Sequence, residues 1–195
     1  MNSNIYIPAR KAVAGESMSM SYISEEDRAL LTSLSEEKLL EVMMFNNRNI
    51  WRVDGLYFLG IEKQFGTDAA AQIDAGVWNL MGTLEARSLK KIFDVKDCTV
   101  NTVMKLLMYT SWALDQQEKV ITVEHTTGIL KILNCRTQLT RLKKGLPEFP
   151  CKQVRHNYLK NFAKEINPQT QCRCICCPPD EHAGDVWCEW HFVQE

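Results

Sequence analysis

Five of the eight cysteines and two of the four histidines lie between Cys172 and His191, in the run C-R-C-I-C-C-P-P-D-E-H followed by W-C-E-W-H. Thiolate and imidazole are the ligands that hold zinc or an iron–sulfur cluster, and a thiolate is also a nucleophile and a redox group. Cys174 and Cys177 form a C-x2-C pair, and Cys188 follows after ten intervening residues. A turn can therefore present two sulfurs to one ion while the chain returns a third. Cys151, Cys135, His182 or His191 can complete a tetrahedral shell. Unliganded thiols that serve packing or redox exchange are the competing reading.

A second grouping takes adjacent Cys176 and Cys177 with Cys188 and His191. Its C-C-x10-C-x2-H spacing resembles the C-C-x10-C-x2-C arrangement of ferric-siderophore reductases that hold a two-iron cluster, with histidine in place of the last cysteine. Zinc and an iron–sulfur cluster thus compete for the same residues. In an extended strand Cys172, Cys174 and Cys176 share a face and Cys177 does not, unless a bulge or the turn at Pro178-Pro179 changes the geometry.

Cys151 precedes Lys152, Arg155 and His156 at an expected helix start, surroundings that lower a thiol pKa. It is a candidate nucleophile as well as a candidate metal ligand or packed thiol. His156 is a candidate base, although a spacing of five serves one helix face less well than three or four. Asp180 can orient a histidine or stay solvated. The helical part offers its own polar set: Asp54 and Glu62 lie about two turns apart, and Glu85 and Arg87 can meet them from the next helix. Trp51, Tyr57 and Trp78 can line a cofactor or substrate pocket there. Aromatic core and surface ion pairs are the plainer reading of these residues.

The elements that position these side chains are mainly helices. Met1 to about Ser21 reads as an extended or partly ordered tail. Ser24 with Asp27 resembles a capping box before a short helix, and another helix starts near Ser35. Leu39–Phe65 carries Met43, Met44, Ile50, Trp51, Leu56 and Phe58 at helical separations. Phe65-Gly66-Thr67-Asp68 marks a stop and a new start. The next helix, to about Phe93, shows the apolar stripe Ile73, Val77, Leu80, Met81 and Leu84, with Trp78 beside it. One helix is expected over Val100–Asp115, giving a three- or four-helix core. Val120–Val123 and Ile129–Leu133 predict strands about a Thr127-Gly128 turn. A basic helix over Thr137–Lys144, a helix from Pro150 to Ile166, and strands at Gln171–Ile175 and Val186–Phe192 complete the chain. The predicted fold class is α+β, with a tail (1–23), an N-terminal helical bundle lobe (24–118) and a small antiparallel, cysteine-rich α+β part (119–195) packed with it.

Charged residues make up 24% of the sequence and the formal charge is −1, so no broad basic surface calls for nucleic acid. A local patch at Arg136, Arg141, Lys143 and Lys144 is the exception. No apolar stretch approaches a membrane span and the start lacks a secretory core, which favours the cytoplasm and reduced thiols. The expected partners are a small-molecule substrate or a redox protein, without membrane or nucleic acid; a homo-oligomer is compatible with this composition.

W-R-V-D-G-L-Y-F-L from Trp51, V-W-N-L-M-G-T-L-E-A-R from Val77, Cys135 with its basic segment, G-L-P-E-F-P-C ending at Cys151, and the terminal C-C-P-P-D…W-C-E-W-H-F resemble a family of largely uncharacterised prokaryotic cytosolic proteins. That family is similar in turn to the L-2-amino-thiazoline-4-carboxylate hydrolases. The resemblance spans about Ser35–Phe192. It implies a cysteine set of Cys135, Cys151, Cys177 and Cys188, with Cys174 as an addition, and a helical signature in Trp51, Asp54, Gly55, Phe58, Trp78, Gly82, Glu85 and Arg87. The resulting expectation is a thiolate-metal or iron–sulfur protein in a redox or small-molecule pathway. A thiazoline-carboxylate hydrolase-like enzyme and a zinc-stabilised assembly protein are the alternatives.

Overall fold

The computed structural model describes residues 23–182 and 184–195, so the expected N-terminal tail lies almost wholly outside the described residues. The chain divides into two compact units, Met1–Glu41 and Val42–Glu195. In the first, α1 (Glu25–Thr32) is capped by Ser24, whose hydroxyl accepts from the Asp27 amide at 3.0 Å. Helix α2 (Glu36–Phe65) begins there and is unbroken through Gly55 and Gly60.

The second unit is α+β: helices come first, then two strand pairs with two helices between them. Helix α3 (Thr67–Ile92) follows α2 after the single residue Gly66, which takes a positive φ of 87°. The single helix expected over Val100–Asp115 is two: α4 (Val100–Leu107) and α5 (Ser111–Asp115). The break has a local cause, because the Thr110 hydroxyl accepts from the Ala113 amide at 3.2 Å and so starts a new helix. Strands β1 (Glu118–Glu124) and β2 (Thr127–Asn134) turn at His125-Thr126, not at Thr127-Gly128, with His125 at φ 48°. Then come α6 (Arg136–Lys143), α7 (Cys151–Ile166), β3 (Thr170–Cys176) and β4 (Cys188–Gln194). The sheet is antiparallel with order β1-β2-β4-β3. Its inner face presents Leu130, Ile132, Trp190 and Phe192, which are essentially inaccessible.

The main helical contact, α3 on α7, uses a different face from the one expected. Ile73, Val77, Leu80 and Leu84 are 43–60% exposed, whereas Ala71, Trp78, Gly82 and Ala86 are buried. Both stripes have helical period. Small side chains win because α7 comes close enough that a Cβ on Gly82 would collide with the Tyr158 carbonyl oxygen. Large residues cannot occupy such a contact. On α2 the buried residues are instead large, Trp51 and Phe58, while Ile50 and Leu56 lie outside.

Candidate functional site: a thiol cluster beside an aromatic cavity

Cys151 is the first residue of α7, where the helix dipole favours negative sulfur. The turn after β3 is tied to this helix end. The Lys152 amide donates to the Pro178 carbonyl at 2.9 Å, the Asp180 amide to the Cys177 carbonyl at 2.9 Å, and the Lys152 ammonium pairs with Asp180 at 2.7 Å. These bonds bring Cys177 to Cys151. Cys188, at the start of β4, faces the same interior, and its strand is anchored by the Trp187 amide on the Ile132 carbonyl at 2.8 Å.

The result is a cluster in which the Cys177 thiol is hydrogen-bonded with Cys151, Cys174 and Cys188. Cys177 is fully buried and Cys188 nearly so. Shared hydrogen bonding raises the Cys177 pKa far above the usual thiol range, with burial adding to it. The same Cys177 bond lowers Cys174 and, against burial and with help from the Arg155 charge, lowers Cys151 to about 7. Cys135, the N-cap residue of α6, is pushed up to about 12, by burial first and by its neighbours Cys151 and Cys188 in addition. Among the described residues no group of three or more His, Cys, Asp or Glu is placed so that it could hold a metal ion.

Other predicted ligands fall elsewhere. Cys174 pairs with Trp190 across the sheet but Cys176 pairs with Glu189, because the register shifts between them. Cross-strand partners share a face, so the irregularity takes Cys176 off the side occupied by Cys172 and Cys174 and puts it with Glu189. Its thiol is raised by burial. His191 hydrogen-bonds Glu189 at 2.7 Å, on the side of β4 opposite Cys188 and Trp190. Residues three apart in a strand point to opposite faces, so C-C-x10-C-x2-H is not gathered into one site. His182 lies against the Trp187 ring, 4.9 Å between centroids, and 3.6 Å from Glu148.

The catalytic set expected around Cys151 is also dispersed. His156 Nε2 is 3.3 Å from the Cys172 carbonyl oxygen and its ring lies beside Trp190, away from a role as base for Cys151. Asp180 is occupied by Lys152. Arg155, expected from the sequence to lower the Cys151 pKa, does so, and Asp74, which sequence reasoning misses, also approaches Cys151. In the sequence Arg155 stands out only as a basic neighbour of Cys151, although its i+4 spacing places it one turn along the same helix.

Arg155 is 3% exposed. Its guanidinium carbon lies 4.9 Å from the ring centroids of Trp78, Trp112 and Tyr158 and 5.5 Å from that of Trp51. Trp51 and Trp78 stack at 4.8 Å with 3° between planes. Behind them Trp78 Nε1 donates to Asp54 at 3.0 Å, Trp51 Nε1 to the Ser111 carbonyl at 3.1 Å, and the Tyr158 hydroxyl to Glu85 at 2.6 Å. Four of the six pocket residues expected in the helical part, Trp51, Asp54, Trp78 and Glu85, therefore meet around Arg155 and Tyr158. The other two do not: Tyr57 is 71% exposed, and Arg87 reaches outward to Glu165 at 3.0 Å. The spacing along α2 and α3 allows them the same face, but close packing on α7 turns it elsewhere. Glu62 pairs with Arg141 at 2.9 Å, which holds its carboxyl below the usual range despite opposing burial.

A cavity of about 320 Å³ opens beside this array, with Trp51, Trp112, Phe58 and Phe149 among its apolar walls and Asp54, Asp74, Cys135, Cys151 and Arg155 among its polar ones. The loop before α7 is pinned across it. Gln138 exchanges two hydrogen bonds with the Phe149 backbone, at 2.7 and 2.9 Å, and Arg141 Nε donates to the Pro147 carbonyl at 2.8 Å. Burial raises Asp54, and burial together with the Asp54 charge raises Asp74 to about 7. Cys151 thus stands in both places, as a member of the thiol cluster and on the cavity wall.

Fold and site together define an α+β protein with a converged thiol cluster at the head of a helix, adjoining an aromatic-walled cavity. The chain belongs to the family of unknown function DUF6125, which it matches over residues 32–194. No curated protein and no solved structure matches it. Among the described residues no helix is long and apolar enough to cross a membrane.

Proposed function

We propose that this is a thiolate-metal protein in which Cys151, Cys174, Cys177 and Cys188 hold one ion, with zinc the best fit. The observation that supports it is the hydrogen bonding of one buried thiol, Cys177, with three others drawn from α7, β3 and β4. Four sulfurs suit the tetrahedral preference of zinc, which binds them as thiolates. A cytoplasmic location, where thiols stay reduced, belongs to this reading. Because Cys151 also borders the cavity, the ion would stand next to a small-molecule site.

Metal analysis of anaerobically purified protein tests the assignment. About one zinc per chain in the wild type, lost in Cys177→Ser, is the expected result for a four-sulfur site. Folded protein free of zinc and iron, with four alkylatable thiols, would overturn it.

A second reading rests on the contrast between Cys151, lowered to about 7, and Cys177, raised. That asymmetry is suited to a dithiol in which the Cys151 thiolate attacks a substrate disulfide and expels one substrate thiolate. Cys177, losing its proton, then attacks Cys151 of the mixed disulfide, closing Cys151–Cys177 and releasing the second substrate thiol. A reversible Cys151–Cys177 disulfide in metal-free protein would favour it over the ion.

A further inference from the structure

The buried Arg155 reaches the Cys151 sulfur, and its charge acts on Asp54 and Asp74, yet part of its hydrogen-bonding capacity is left unfilled. Its Nε and Nη1 are inaccessible and have no hydrogen-bond partner, a costly condition for a charged group. Aromatic rings surround the guanidinium, and such rings interact with its faces. Hydrogen-bond acceptors must approach in its plane, along the edges. The nearby carboxyl Asp54 is already engaged by Trp78 Nε1 and by Asp74. Two other cations on the cavity wall have their counterions secured: Arg136 with Asp115 at 2.8 Å and Arg141 with Glu62 at 2.9 Å. Lys144 and Arg155 add positive charge on the same wall.

We infer that the cavity binds a small organic oxyanion, a carboxylate or phosphate carried on a flat apolar body, with the oxyanion at Arg155 and the body against Trp51, Trp112 and Phe149. The volume of about 320 Å³ lies in the range of small-ligand pockets, and its apolar walls suit a ring or short chain. Charge-assisted in-plane hydrogen bonds would fill the vacant capacity of Arg155. This goes beyond the metal reading, since none of the four sulfur ligands is required to bind the anion.

Two variants locate the site. Arg155→Met removes the charge with a side chain of similar length. Gly55→Phe fills the cavity from α2, where a Cβ would meet nothing within 4 Å, and replacing a helical glycine favours folding. Binding to the full chain is read by tryptophan fluorescence, which Trp51 and Trp112 should report, and by calorimetry. The probes are benzoate, phenyl phosphate, inorganic phosphate and benzylamine. Saturable binding of benzoate, phenyl phosphate or both is expected, with inorganic phosphate and benzylamine weaker; the better aromatic anion identifies the oxyanion. Each variant should weaken binding roughly ten-fold or more, as loss of a charge-assisted contact or of the space itself predicts. The inference is overturned if neither aromatic anion saturates, if benzylamine binds as well as they do, or if folded Gly55→Phe binds like the wild type. Metal content is measured in parallel and should be unchanged in Gly55→Phe, which touches none of the four sulfurs, so failure here is distinct from failure of the zinc assignment.

Discussion

Two polar clusters lie one turn apart at the head of α7 and are satisfied by different means. Around Cys151, four thiols share hydrogen bonding through the buried Cys177 and shift one another's pKa. Around Arg155, a cation is held by ring faces while two of its nitrogens have no acceptor. On the two proposals, the first cluster would take up a cation and the second an anion. Sharing Cys151 at their border, they form a junction at which an ion and a small anion would be neighbours.

The largest expected effect is on the thiol side. Cys177→Ser should abolish metal binding and cost several kcal/mol of stability, since structural zinc contributes directly to folding; circular dichroism melts with metal analysis measure both. If the near-ultraviolet signal of the stacked Trp51 and Trp78 collapses even at low temperature, the two clusters are not independent. Next in size is Gly82→Ala, which drives a methyl into the Tyr158 backbone beneath Arg155. Destabilisation of about 1–3 kcal/mol or more is expected from overpacking, with metal content retained, measurable by urea unfolding.

A smaller effect separates the clusters by pH. Burial and Asp54 raise Asp74 to about 7 in the folded protein. The stability this group contributes is therefore present below the ordinary carboxylate pKa and is lost as pH rises through about 7. Asp74→Asn should flatten that part of the melting-temperature profile and raise the value at alkaline pH. Smallest of all is His191→Ala. Its partner Glu189 also pairs with Lys131, so metal content should be unchanged and stability within about 1 kcal/mol of the wild type, the range of partly exposed ion pairs. Loss of metal in that variant would restore the Cys/His grouping.

Much of the thiol cluster is legible in the sequence. Ligand spacing points to Cys174, Cys177 and Cys188, and Cys151 stands among the possible fourth members. The near neighbours Cys176 and His191 are harder to sort. Their exclusion depends on strand alternation and on one register shift between Cys174 and Cys176, an irregularity without a distinct residue signal. Of the aromatic site, the participation of Trp51, Asp54, Trp78 and Glu85 can be anticipated from helical spacing, but the place of its central residue cannot: Arg155 reads in sequence as a positive neighbour of Cys151, and its burial among the rings has no local signal.

The helices follow the same division. Helical period, the Ser24 cap and the Gly66 break are enough to place α1, α2 and α3, because backbone propensity and capping act locally. Which stripe of α3 is buried is settled by Gly82 meeting Tyr158, a contact between segments far apart in the chain, where closeness of two backbones outweighs the size of Ile73, Val77 and Leu80. The sequence by itself determined an α+β chain with an excess of thiols near its end. Tertiary packing alone decided which sulfurs converge and that a guanidinium is buried among four rings beside them, since burial and charge pairing depend on neighbours brought in from distant segments.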